Sequence, residues 1–165
     1  MADNFSFDVV SEFDRQELVN ALDQVKREIS QRYDLKGTDT ILDLEKDNIF
    51  ITTNSELTLN SVIDIIRQKA VKRKLSLKIF EYGEIEMVSG NRVKQTIGLK
   101  QGLNQEIAKK ISKDIRDYIK KINVSINGET LRVASKSKND LQEVIKFLIE
   151  LEESYNLPLK ANNFR

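Results

Sequence analysis

The residues of this chain best suited to chemistry are cations set beside small side chains ahead of amphipathic runs. Lys100-Gln-Gly-Leu-Asn104 and Ser135-Lys-Ser-Lys-Asn139 each combine lysine, small or polar residues and the backbone amides that open a helix. The first turn of a helix leaves its N–H groups without intrahelical partners, and the helix dipole adds positive potential there. Such a loop can hold a phosphate. The candidates are Lys100, Gln101 and Gly102 in one loop and Lys136, Ser137 and Lys138 in the other, with Arg132 on the strand leading into the second. A plainer role is open to the same residues: Ser137 and Asn139 can cap a helix while the lysines stay solvated. The matching loop of the first half, Thr53-Asn-Ser-Glu56, has an acidic residue and no lysine, so anion capture is expected in the second half only.

Composition removes whole classes of chemistry. Without Cys or His there is no thiolate nucleophile, no imidazole base and no His/Cys metal cage. Neither a P-loop nor a G-x-G-x-x-G is present, and no catalytic spacing stands out among Asp, Glu, Lys, Ser, Thr and Tyr. The expectation is a binding protein without catalysis, metal or cofactor. Met1-Ala-Asp-Asn4 is polar and no apolar run is long enough to span a membrane, which points to the cytoplasm.

The net charge of +1 conceals a gradient along the chain. Residues 1–66 carry 6 basic and 14 acidic groups, residues 67–125 carry 15 and 6, and residues 126–165 carry 6 of each. The middle segment, at +9, suggests an electropositive surface able to meet phosphates. Lys72-Arg-Lys74, Arg67 and Lys69, with Lys109, Lys110, Lys113, Arg116, Lys120 and Lys121, are helix-borne and could equally form solvated faces.

The elements that must position these groups follow from periodicity. Val93, Ile97 and Leu99 share one parity, with Gln95 its polar member, while Lys94, Thr96, Gly98 and Lys100 share the other; this marks a half-buried strand. Ile107, Ile111, Ile115 and Ile119 then recur every fourth residue, as on one face of a helix. The N-terminus does the same: a strand from Phe5 to Glu12 precedes a helix capped by Asp14. The second half therefore restarts the first.

The first unit continues with a hairpin over Thr38–Thr53, a helix through Leu59 and Ile66, a strand through Leu75, Leu77 and Ile79, and a Gly83–Asn91 connector. The second has a helix over about Asn104–Lys121, strands on either side of Asn127-Gly128, a helix after Ser137 and a last strand over Leu157–Phe164. Asn-Gly predicts a type I′ turn. The order is βαββαβ twice, an α+β chain of two tandem ferredoxin-like, RRM-like domains. Their helix-free sheet faces would display Asp8, Val10, Phe50, Thr52, Lys94, Thr96, Gly98, Lys100, Arg132 and Ala134. Only Phe50 could stack a base there, so phosphate contact is favoured over base reading. Val10, Phe50 and Ala134 could instead meet a protein partner or a second copy.

Several dispersed segments carry a family resemblance. Ser6-Phe-Asp-Val-Val-Ser-Glu12, Arg32-Tyr-Asp34, Leu99-Lys-Gln-Gly102, Lys136-Ser-Lys-Asn-Asp-Leu-Gln142 and Asn163-Phe-Arg165 resemble those of the bacterial YajQ family, in the same order and along the whole chain. The resemblance implies exchanged leading strands: residues 13–100 form one domain with strand 92–100 swapped in, and residues 1–12 join 101–165 in the other. It also implies a cytosolic nucleotide-binding protein without established catalysis, whose ligands include RNA, guanine nucleotides and, in some members, cyclic di-GMP. GTP, cyclic di-GMP and tRNA are thus the expected partners, with a regulatory protein contact as the alternative and no membrane. Arg32 and Arg165, within the matched segments, join the candidate nucleotide contacts; each can also pair with Asp34 or another nearby carboxylate.

Overall fold

The computed structural model describes residues 5–165, so the polar Met1–Asn4 segment lies outside the described residues. Its strands are β1 (Phe5–Val10), β2 (Ile41–Leu44), β3 (Asn48–Thr53), β4 (Phe80–Tyr82), β5 (Glu86–Val88), β6 (Arg92–Leu99), β7 (Asn123–Asn127), β8 (Thr130–Ser135) and β9 (Lys160–Asn162). The helices are α1 (Arg15–Gln31), α2 (Glu56–Lys72), α3 (Gln105–Tyr118) and α4 (Lys138–Tyr155). Two compact units result: a continuous one, residues 13–100, and a split one, residues 1–12 with 101–165.

In the continuous unit the sheet runs β2-β3-β6-β4, with β5 also paired to β6. Alternation does the work that the sequence foresaw. Val93 and Ile97 on β6 and Ile49 and Ile51 on β3 are buried, and they pack with Leu18, Leu22 and Val25 of α1 and Leu59, Val62 and Ile66 of α2. Asp14 caps α1 by accepting from the amides of Gln16 and Glu17 at 3.0 and 3.2 Å. Gln95, the polar member of the buried parity, donates its side-chain amide to the Gly83 carbonyl at 2.7 Å. A side chain at Gly83 would stand 2.8 Å from the Thr96 carbonyl oxygen, so glycine is required at that crossing.

Two elements differ from expectation here. Leu77–Ile79 is a 3-10 turn, and the strand follows it, at Phe80–Tyr82. Ser76 opens that turn by accepting from the Lys78 amide at 3.2 Å, a local bond that competes with extension. The Gly83–Asn91 connector contains β5, which folds back on β6 and pairs Met87 with Val93. Its short length and exposed Met87 hid that pairing from periodicity.

In the split unit the order is β7-β8-β1-β9, so the first strand of the chain lies between two strands from its last third. Phe7 and Val9 of β1, Leu131 and Val133 of β8, Ile111 and Ile115 of α3, and Val144 and Leu148 of α4 form its core. The β7–β8 turn is not the predicted type I′. Asn127 pairs with Thr130, leaving Gly128 and Glu129 as the central residues. Gly128 alone has positive φ there, +60°, which is the pattern of a type II′ turn. The Asn-Gly pair was read one residue out of register.

Candidate functional site

The two lysine-bearing loops have different fates. At the first, Lys100 ends the continuous unit while Gln101 and Gly102 begin the return to the split one. Gly102 donates its amide to the Ser11 carbonyl at 2.6 Å, and Leu103 donates to the Glu129 carbonyl at 3.1 Å. Asn104 caps α3 by accepting from the Ile107 amide at 2.8 Å. The Glu129 carboxylate stands against Gly102, where an added Cβ would meet its oxygens at 2.7 and 3.1 Å. Gly102 (φ +79°) therefore serves backbone geometry. The Gly102 and Leu103 amides are thus in use, and a carboxylate lies against this loop.

The second loop is arranged differently. Ser137 caps α4, accepting from the Asp140 amide at 3.2 Å, and its own amide donates to the Ser135 hydroxyl at 3.0 Å. The capping expectation for Ser137 thus holds, without removing the lysines from play. Among the described residues, no ion pair engages Lys136 or Lys138. Beside this helix start lies a cleft of about 330 Å³, bounded by Phe5 and Phe7 of β1, Lys138, Gln142 and Ile145 of α4, and Phe164 and Arg165 of the tail. That volume lies within the range of small-molecule sites.

Three segments distant in sequence build the cleft. Ser6 and Arg165 exchange backbone hydrogen bonds at 3.1 and 3.0 Å, tying the tail alongside β1. Phe164 thereby comes 5.8 Å, centroid to centroid, from Phe7, yet remains 64% exposed. Lys138 and Arg165 are the two candidate cations brought to one cavity; Lys136 and Ser137 immediately precede it on the chain. Phe5, Phe164 and Gln142 were not among the expected contacts. Phe164 and Gln142 lay within the matched motifs, but only pairing between opposite chain ends turns them into walls.

The remaining arginines are committed elsewhere. Arg132 pairs with Asp8 at 3.3 Å, and Asn163 donates to the other Asp8 oxygen at 2.9 Å. The Asn163 amide, together with Arg132 and Arg165, holds the Asp8 carboxyl below its ordinary value against the opposing effect of burial. Arg32 belongs to the continuous unit and pairs with Asp34 at 2.7 Å and Glu28 at 3.4 Å. On the open face of that unit the Lys94 ammonium sits 5.2 Å from the centre of the Phe50 ring. That cation occupies the surface a base would need for stacking.

The basic middle segment is divided by the fold. Residues 13–100 hold 15 basic and 14 acidic groups, and residues 1–12 with 101–165 hold 12 of each. Many helix-borne cations are also paired: Lys69 with Glu28, Arg73 with Glu17, Lys110 with Glu106 and Lys113 with Asp117. The run of charge along the chain is therefore shared between two units that are each close to neutral overall. No group of metal-ligating side chains occurs among the described residues, and no described helix is long and apolar enough to cross a membrane.

Comparison with known proteins places the chain in a family. The model of the family described as nucleotide-binding protein YajQ-like matches residues 5–165. Relatives named nucleotide-binding proteins in Prochlorococcus marinus strain MIT 9515 and P. marinus subsp. pastoris are each 84% identical over 100% of both chains. One from strain MIT 9211 is 54% identical, again over 100% of both.

Proposed function

The chain belongs to the YajQ-like family, and from that premise we propose that it binds a guanine nucleotide or RNA non-catalytically, in the cytoplasm, by holding phosphate at the start of α4. The observation that carries this reading is the convergence of Lys138 and Arg165 on a cleft walled by Phe5, Phe7 and Phe164. The cations and the dipole of an 18-residue helix meet the phosphate. Exposed Phe164 and half-buried Phe5 offer the base a stacking surface, and the Gln142 amide can exchange hydrogen bonds with its edge. Lys136 extends the basic rim toward a longer polynucleotide. The names of the relatives support nucleotide as the ligand class; GTP, cyclic di-GMP and tRNA are its members to test.

Equilibrium binding of GTP, cyclic di-GMP and tRNA to the full chain, measured at several salt concentrations, tests the proposal. Lys138→Ala and Arg165→Ala should each weaken binding roughly tenfold, a typical loss for a charge-assisted contact. For tRNA, each should also reduce the salt slope by about one. Arg32→Ala, in the other unit, should leave affinity unchanged. Wild-type affinity in both cleft variants would remove the α4 cleft from consideration.

A further inference from the structure

A free sheet edge is usually defended by a charge, a proline or a bulge, because its open N–H and C=O groups will pair with any extended chain. Most edge strands here carry such a charge: Asp43 on β2, Glu81 on β4, Glu86 on β5 and Lys160 on β9. Strand β7, Asn123-Val-Ser-Ile-Asn127, has none, and it forms the outer edge of the β7-β8-β1-β9 sheet. Its sequence is also nearly a palindrome. We propose that β7 is an interaction surface for a second copy of this chain, pairing antiparallel with its own counterpart about a two-fold axis at Ser125.

The backbone has the right parity for this. Asn127 and Thr130 flank a two-residue turn, so they form a hydrogen-bonded pair, and Ser125 with Arg132 and Asn123 with Ala134 repeat that orientation. The N–H and C=O groups of Val124 and Ile126 therefore point away from β8, along the open edge. With Ser125 on the axis, Val124 of one copy faces Ile126 of the other. Those are the residues whose backbones are available, and the two equivalent pairs exchange four hydrogen bonds. On the helix side, half-buried Val124 and Ile126 meet as an aliphatic pair, and both already pack on the core. On the open face Ser125 meets Ser125, and Asn123 meets Asn127, with no like charges opposed. Just beyond the strand, the same register brings exposed Lys121 toward the turn that carries Glu129 of the other copy.

The alternatives are weaker. Self-pairing of β2, β4 or β9 would oppose Asp43, Glu81 or Lys160 to its own kind near the axis. Pairing through β7 is isologous and closed, so it ends at a dimer instead of a fibre. It joins two four-stranded sheets into one and puts two α4 clefts on the same particle. A single short strand pair covers less than the about 1,000 Å² typical of stable interfaces, so the dimer is weak and concentration-dependent.

Sedimentation velocity of the full chain over increasing concentration tests this, with amide exchange as a second readout. The wild type should shift from monomer to dimer, and exchange at Val124 and Ile126 should slow as it does. Ser125→Lys and Ser125→Asp alter an exposed side chain and oppose like charges at the axis, so each alone should dimerise at least about fivefold more weakly. Mixed together, S125K and S125D should recover association as a heterodimer. A wild type that stays monomeric to about 1 mM overturns the proposal. So does a dimer that neither charge variant weakens, or one that leaves Val124 and Ile126 exchanging freely.

Discussion

At the scale of single residues, several arginines of this protein are spent on holding structure. Arg92 gathers the carbonyls of Thr38, Asp39 and Thr52, and Arg15 binds those of Glu45 and Lys46 at 2.7 Å. Arg32, Arg73 and Arg132 are paired with carboxylates. Against this background Lys138 and Arg165, which share an apolar cavity, are the cations to test first. Tyr155 supplies a pH signature of the split unit. Its hydroxyl donates to Asp114, and burial, then that hydrogen bond and the carboxylate charge, push the phenol from 10.0 up to about 12. A raised folded value means the stabilisation is complete below the unfolded value near 10 and is lost as pH climbs through about 12. Denaturant titrations across that window should show stability falling by up to about 2 kcal/mol. Tyr155→Phe should flatten that part of the profile.

At the scale of elements, the start of α4 carries a structural duty beside its proposed binding one. The Ser137 hydroxyl occupies one open amide of the first turn, that of Asp140. Ser137→Ala should cost about 1 kcal/mol in urea unfolding at unchanged m-value. A loss well above about 2 kcal/mol would mean that Ser137 does more than cap. The hairpins show where local pattern stops being informative. Alternation located β3, β6 and β8, because long half-buried strands repeat it often enough to be seen. It did not locate β4 and β5, three residues each, whose pairing depends on β6 lying alongside.

At the scale of the whole molecule, chain continuity and structural unity diverge. Residues 13–100 contain all five strands of one sheet and its core, whereas the split unit borrows β1 for the interior of its sheet. An excised 13–100 fragment should therefore fold by itself, read by cooperative unfolding in circular dichroism. A 101–165 fragment should stay unfolded until a peptide of residues 1–12 is added, since without β1 the β8 and β9 strands have nothing between them. Cooperative folding of 101–165 alone would contradict this.

What the sequence determined by itself was local and periodic: the helices through their fourfold apolar spacing and caps, the longer strands through alternation, and the duplicated order through their recurrence. The dispersed motifs also sufficed to recognise the family, because each is a short stretch read residue by residue. The tertiary structure decided which aromatics wall a cavity and which carboxylate stands against the first lysine loop. Those outcomes depend on hydrogen bonds between chain ends, such as Ser6 with Arg165, and on one carboxylate settling against Gly102. Contacts between residues remote in sequence leave no periodic trace in it, and so they became visible only once the chain was folded.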